Sequence, residues 1–149
     1  MLIEPRESTD PIARQLILEQ QAEVAVLQGA GHVEYRLRAD IEFMLGLIDG
    51  HPVGCGALQP ITAGIGEVRR VYVRPAYRGQ GLSKLILAAL EERAFERGYH
   101  TLRLEAGRMM NRAIGLYRAA GFAAIPAYGE YAGNPQSVCF EKSLVAALA

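Results

Sequence analysis

Glycines, an arginine and a small hydroxyl residue sit at close spacing in Arg78-Gly79-Gln80-Gly81-Leu82-Ser83, a mixture that points to anion binding. Glycine lets backbone approach a ligand with no Cβ in the way. A helix starting near Leu82 would aim unpaired N–H groups and its positive dipole end at the same spot. The run before it, Glu67 to Val73, alternates Val68, Arg70 and Tyr72 with Arg69, Val71 and Val73, a strand pattern that Pro75 stops by removing a backbone donor. Strand, glycine turn and helix start in that order make a phosphate cradle. A dinucleotide fingerprint does not fit, since Lys84 stands where its third glycine would fall, and a P-loop needs a Gly-Lys-Ser/Thr that is absent.

Other elements must position this cradle. Met1 to Glu4 reads as a short strand, and Asp10-Pro11 as a capped helix start whose apolar stripe, Ile12, Leu16, Ala22 or Glu23, Val24 and Leu27, ends at Gly29-Ala30-Gly31. A second short helix between residues 29 and 40 is left open. Residues 41–48 and 53–58 pair as a hairpin across Gly50-His51-Pro52. After the cradle, Leu82, Leu85, Ile86, Ala89, Leu90 and Ala94 share one helical face, and Gly98 stops that helix. Thr101 to Glu105 is a strand parallel to the Glu67 strand, because a helix joins them. Asn111 is read as the N-cap of a helix to Ala120 with Ala113, Leu116, Tyr117 and Ala120 inside. Phe122 opens a strand, residues 126–135 form a Gly/Pro-rich loop, and Ser137 to Lys142 is the last strand.

At 149 residues the chain is expected to be one domain, 1–149, burying roughly two thirds of its unfolded surface. Sixteen basic residues balance sixteen acidic ones, so no global charge draws nucleic acid or anionic lipid. No apolar run approaches the ~20 residues of a membrane helix, and the first residues lack a signal-peptide plan; a cytoplasmic protein is expected. Cys55 and Cys139 stand in predicted strands without metal-ligand spacing and are expected to be buried thiols, and His32, His51 and His100 are scattered. No metal is expected.

The pattern Arg78-x-x-Gly81-x-Ser83 after Val-Tyr-Val, followed by Asn111, Tyr117 and the Gly121-Phe122 exit, resembles the GNAT superfamily of N-acetyltransferases. Ser83 departs mildly from the Gly/Ala of that signature but keeps a small residue. The resemblance spans Glu67 to Phe122. It implies an α/β (α+β) domain with a mixed central sheet of about six to seven strands, about four flanking helices and a splayed parallel strand pair. It also implies acetyl-CoA as co-substrate, its pyrophosphate on Arg78, Gly79, Gln80, Gly81, Leu82 and Ser83. The pantetheine arm falls to Val71, Val73 and Asn111, and the sulfur to Tyr117.

Acetyl transfer sets three chemical needs. Charge developing on the acetyl oxygen needs a preorganised donor, which in the family is a backbone N–H, here that of Val71. The leaving thiolate needs a proton or hydrogen bond from Tyr117, a candidate general acid; complete transfer runs uphill by about 2 kcal/mol, so hydrogen bonding carries weight. An arriving alkylammonium must lose a proton, and Glu67 is the first expected base with Glu105 second. Pairing of either carboxylate with Arg69, Arg103 or Arg108 is an equal alternative. Acceptor recognition is assigned to the first helical region and to the loop bearing Tyr128, Tyr131, Asn134 and Ser137, whose two tyrosines either form a rim around a small substrate or cover the sheet edge. A primary amine of a small molecule is the expected acceptor; a protein N-terminus or lysine, a non-catalytic acetyl-CoA sensor, and a homodimeric state are left open.

Overall fold

In this computed structural model, which describes residues 1–29 and 33–144, seven strands form one sheet in the order β1-β2-β3-β4-β5-β7-β6. The strands are β1 (Leu2–Arg6), β2 (Glu42–Ile48), β3 (His51–Thr62), β4 (Ile65–Val73), β5 (Thr101–Gly107), β6 (Ala123–Ile125) and β7 (Ser137–Ser143). The α-helices are α1 (Pro11–Gln28), α2 (Leu82–Glu96) and α3 (Asn111–Ala119), with 3-10 turns at Pro75–Tyr77 and Gly129–Tyr131. All pairings are antiparallel except β4 with β5, which the α2 crossover joins in parallel as expected.

Strand alternation explains how both faces of the sheet become cores. On β2, Phe43, Leu45 and Leu47 meet α1 residues Ala13 and Leu16, while Met44 and Ile48 pack into the larger cluster around α2 and α3. Gly56 of β3 lies on the α2 face, where an added Cβ would come within 2.6 Å of Leu90 and 2.9 Å of Ile86, so glycine lets α2 sit close.

Two helical stripes differ from the pattern expected. On α2, Leu85 is exposed and Leu87 is buried with Leu82, Ile86, Leu90 and Ala94. Six consecutive apolar residues, Leu85 to Leu90, leave the inner face undefined by period alone. On α1, Asp10 caps the helix as expected, accepting from the N–H groups of Ile12 and Ala13. Ile12 and Leu27 are exposed, however, and the inward line runs Ala13, Leu16, Ile17, Gln20, Val24. A polar Gln20 on that line hides the stripe, and its position is where the sheet opens. Residues 33–40 carry no helix; Ala30, Gly31 and His32 lie outside the described residues. Among the described residues no helix is long and apolar enough to cross a membrane.

Candidate active site

β4 pairs with β5 only from Ile65 opposite Thr101 to Val68 opposite Leu104. Beyond this the strands part, β5 continuing along β7 and β4 along β3. The parting coincides with a β-bulge. Between Cys55 opposite Tyr72 and Ala57 opposite Arg69, β4 spends one residue more than β3, and Arg70 takes the left-handed conformation with φ 57°. Val71 thus stands opposite no β3 residue in the register, and its carbonyl accepts a hydrogen bond from Gln20 Nε2 at 2.9 Å.

Past Val73 the chain makes the 3-10 turn and the glycine loop. Gly79 and Gly81 have φ of 81° and 78°, a conformation costing other residues roughly 1–2 kcal/mol. An added Cβ at either would meet nothing within 4 Å, so the space over the loop is open. Gly81 starts α2 with no side-chain cap and no acidic residue in the first turn. The leading N–H groups and the dipole of α2 therefore face this open space, the condition for holding an anion. Arg78 contributes differently from the direct anchor expected. Its Nε donates to Val73 O at 2.8 Å and its Nη2 bridges both Glu23 oxygens at 2.9 and 2.7 Å, so it ties α1 to the end of β4.

A cleft of about 360 Å³ runs from the loop residues Arg78, Gly79, Gly81, Leu82 and Ser83, past Val73 and Val71, to Tyr117. A second cavity of about 120 Å³ lies where β4 and β5 separate, beside Tyr35, Arg69, Arg70 and Glu105. Gln20, Val71 and Tyr117 line both, so the two spaces meet at these residues. Of the expected cofactor contacts, Gln80 and Asn111 are exposed and line neither. Asn111 is the first residue of α3 rather than its cap, a place held by Met110 without a side-chain bond, and Met110 and Arg112 line the cleft instead.

Tyr117 is buried, with its ring edge-on to Phe122 at 6.1 Å. Desolvation, reinforced by the charge of Glu105, pushes its phenol well above the ordinary tyrosine value. It stays protonated and is a donor across the neutral range.

The two candidate carboxylates part company. Glu67 is buried and lines neither cavity; it accepts from Gln59 Nε2 at 2.8 Å and Tyr128 Oη at 2.5 Å, with Arg69 Nη1 at 3.6 Å. The pairing with Arg69 weighed from the sequence is therefore present. Glu105 lines the smaller cavity with Tyr117, and Ser137 Oγ donates to it at 2.6 Å. Tyr128 and Tyr131 form no rim. Tyr131 is fully buried, stacked edge-on against Tyr35 and Tyr128 at 4.7 and 5.3 Å, and neither Tyr128 nor Tyr131 lines the cleft or the smaller cavity. Tyr35 takes the wall position, its hydroxyl accepting from Asn134 at 2.7 Å. Gln20, Tyr35, Arg69 and Arg70 went unassigned from the sequence because no local motif marks them. Only the polar interruption of the α1 stripe at Gln20 was a readable signal.

The profile described as "Acetyltransferase (GNAT) family" matches residues 13–122. An IAA acetyltransferase of Azospirillum brasilense is 38% identical over 108 residues, 72% of this chain and 71% of that protein. The matched stretch spans 71%, 62% and 48% of the lengths of three curated relatives. A Klebsiella pneumoniae protein solved as a candidate acyl-CoA N-acyltransferase superposes with TM-score 0.84 at 36% identity, covering 96% of this chain and 97% of that one. An Elizabethkingia anophelis GNAT acetyltransferase with acetyl-CoA bound has the same fold at 16% identity, TM-score 0.70, over 95% and 97%.

Proposed function

The chain belongs to the GNAT family of acetyltransferases, and from that premise we propose that it moves an acetyl group from acetyl-CoA to the primary amine of a small molecule by direct attack. The observation that carries this reading is the junction at Val71 and Tyr117, where a long cleft ending in an anion cradle meets a separate small cavity. Acetyl-CoA, when bound, supplies an activated acetyl thioester. The open loop surface, the uncapped start of α2 and the edge of β4 beyond its pairing with β5 fit its phosphates and its amide-bearing arm.

Within that arrangement each residue has a task. The leading N–H groups of α2 hold phosphate charge, while Arg78, neutralised by Glu23, keeps the cleft walls together. Val71 and Val73 lie on β4 beyond the last residue paired with β5, and along that edge an extended arm lies as a strand would. The Val71 N–H stabilises charge on the acetyl oxygen. Tyr117 donates a hydrogen bond to the departing sulfur. Glu105, held by Ser137, accepts the proton that the amine gives up, a role its place in the acceptor cavity supports over Glu67. A cavity of about 120 Å³ favours a small acceptor over a peptide. A cytoplasmic setting is supported by two buried free cysteines, Cys55 with its thiol pushed up to about 12 by burial.

Acetyl-CoA should raise the melting temperature, and a panel of small amines should contain at least one that releases free thiol. Thermal protection without thiol release from any amine, peptide N-terminus or lysine peptide would overturn the catalytic reading.

A further inference from the structure

Among the described residues three buried side-chain polar atoms have no hydrogen-bond partner: Gln20 Oε1, Arg70 Nε and Tyr131 Oη. The first two belong to residues lining the same small cavity, together with Glu105 and Tyr117. A buried polar atom left unpaired bears its full desolvation cost, so two of them around one cavity call for a ligand that completes both.

The surroundings define what each atom can bind. Gln20 Nε2 donates to Val71 O at 2.9 Å, and a flipped amide would set two oxygens against each other, so Oε1 is an acceptor facing no donor. Arg70 Nη2 meets Glu34 at 3.0 Å, while Nε on the same edge of the guanidinium is a cationic donor without an acceptor. Glu34, 39% exposed, meets the Nη2 end, so a ligand carboxylate that bridges Nε and Nη2 makes the bidentate pair this edge is shaped for. Neighbouring Arg69 is committed to the Tyr35 and Arg36 carbonyls and to Glu67.

We propose that the acceptor is a small amino carboxylate, its amine directed to Gln20 Oε1 and Glu105 and its carboxylate to Arg70. The inference rests on the acetyl-transfer reading above and adds the substrate class. Size sets the scale: about 120 Å³ suits an α-amino acid with a short side chain. The step balances with the residues present. Glu105 takes the proton that turns the arriving ammonium into an amine, whose lone pair closes on the acetyl carbon. As the C–S bond breaks its electron pair goes to sulfur, Tyr117 hydrogen-bonds that thiolate, and the second proton shed by the nitrogen ends on the sulfur. An N-acetylated amino carboxylate and a free thiol are left.

The test compares glycine, alanine and β-alanine with their carboxamides, by thiol release from acetyl-CoA and by calorimetric titration of the protein without cofactor. The acids should exceed their amides in kcat/KM by at least about tenfold, since a site built for a charged partner rejects analogues lacking it. Arg70→Met should reduce that ratio to near one, and Arg70→Lys should restore part of it. The wild-type comparison stands alone if the Arg70 variants fail to fold. Thiol release from the amides with no advantage for the acids overturns the substrate class and keeps acetyl transfer. Binding of an amino acid that Arg70→Met abolishes, without thiol release from these compounds or from the amine and peptide panel above, keeps the site and overturns acetyl transfer. Neither binding nor release with the amino acids overturns the substrate class, and release from another amine of that panel keeps acetyl transfer.

Discussion

One side of the proposed cofactor cleft, Val71 to Ser83, is a single stretch of chain, closed by α1 and by Tyr117 of α3, whereas the proposed acceptor cavity draws Gln20 from α1, Tyr35 from the segment after it, Arg69 and Arg70 from β4, Glu105 from β5 and Tyr117 again. The first wall works through backbone: positive-φ glycines, an uncapped helix start and a freed strand edge. The second works through side chains set by packing. Recognition by backbone needs only small residues in the right order, while recognition by side chains needs several distant segments brought together.

Damage to the two walls should therefore be separable, and Tyr117, which belongs to both, gives the largest effect. Tyr117→Phe should lower kcat by about 1000-fold while acetyl-CoA affinity stays within about twofold, measured by thiol release and calorimetry. Unchanged turnover would remove the phenol from the chemistry. Gly81→Glu strikes the cofactor wall alone, adding left-handed strain and a carboxylate facing the phosphate site. Acetyl-CoA should bind at least about 100-fold more weakly, lost as thermal protection. Protection equal to wild type would break the loop assignment.

The carboxylates sharpen the acceptor side. Glu105→Gln should cost about 100-fold in kcat/KM and flatten the acid limb of the pH profile. Glu67→Gln should instead cost about 1–3 kcal/mol of stability, because Gln59 and Tyr128 lose a buried acceptor, with turnover of the folded fraction reduced only a few-fold. The reverse outcome would return the base to Glu67.

The smallest effect is a control on α1, which roofs both walls. Asp10→Ala should remove about 1 kcal/mol by chemical denaturation without changing either ligand's binding. In the folded chain the Ala13 N–H, ahead of Arg6, holds the Asp10 carboxyl below its ordinary value. The cap's contribution is therefore complete above the unfolded carboxylate range near about 4 and is lost as pH falls through the lowered value. The difference between wild type and variant should vanish in acid.

The strand, glycine turn and helix start that border the larger cleft were legible because they are neighbours in sequence and each carries a local signature. The α2 start at Leu82 and the parallel pairing of β4 with β5 follow from the same order. The inner face of α1 was not legible, since Gln20 and Glu23 turn toward the sheet to meet Val71 and Arg78. The roles of Tyr128 and Tyr131 were not either. A Gly/Pro-rich loop reads as exposed, yet its two tyrosines are drawn inward by stacking with Tyr35 and by the Glu67 carboxylate.

By itself the sequence determined most of the order of elements and the strand, glycine turn and helix start at Glu67 to Ser83, which depend on backbone preferences a few residues apart, while the mixed sheet of about six to seven strands came from the resemblance. Only the tertiary structure decided which carboxylate reaches the cavity beside Tyr117 and what Arg78 grips. It also decided which polar atoms are left open to an acceptor. Glu67 stands near the start of β4 and Glu105 near the end of the neighbouring parallel strand β5, and the sequence alone does not rank them. The bulge at Arg70 and the packing of Tyr128 and Ser137 divide them, and those contacts join residues 32 to 61 positions apart, beyond the reach of any local pattern.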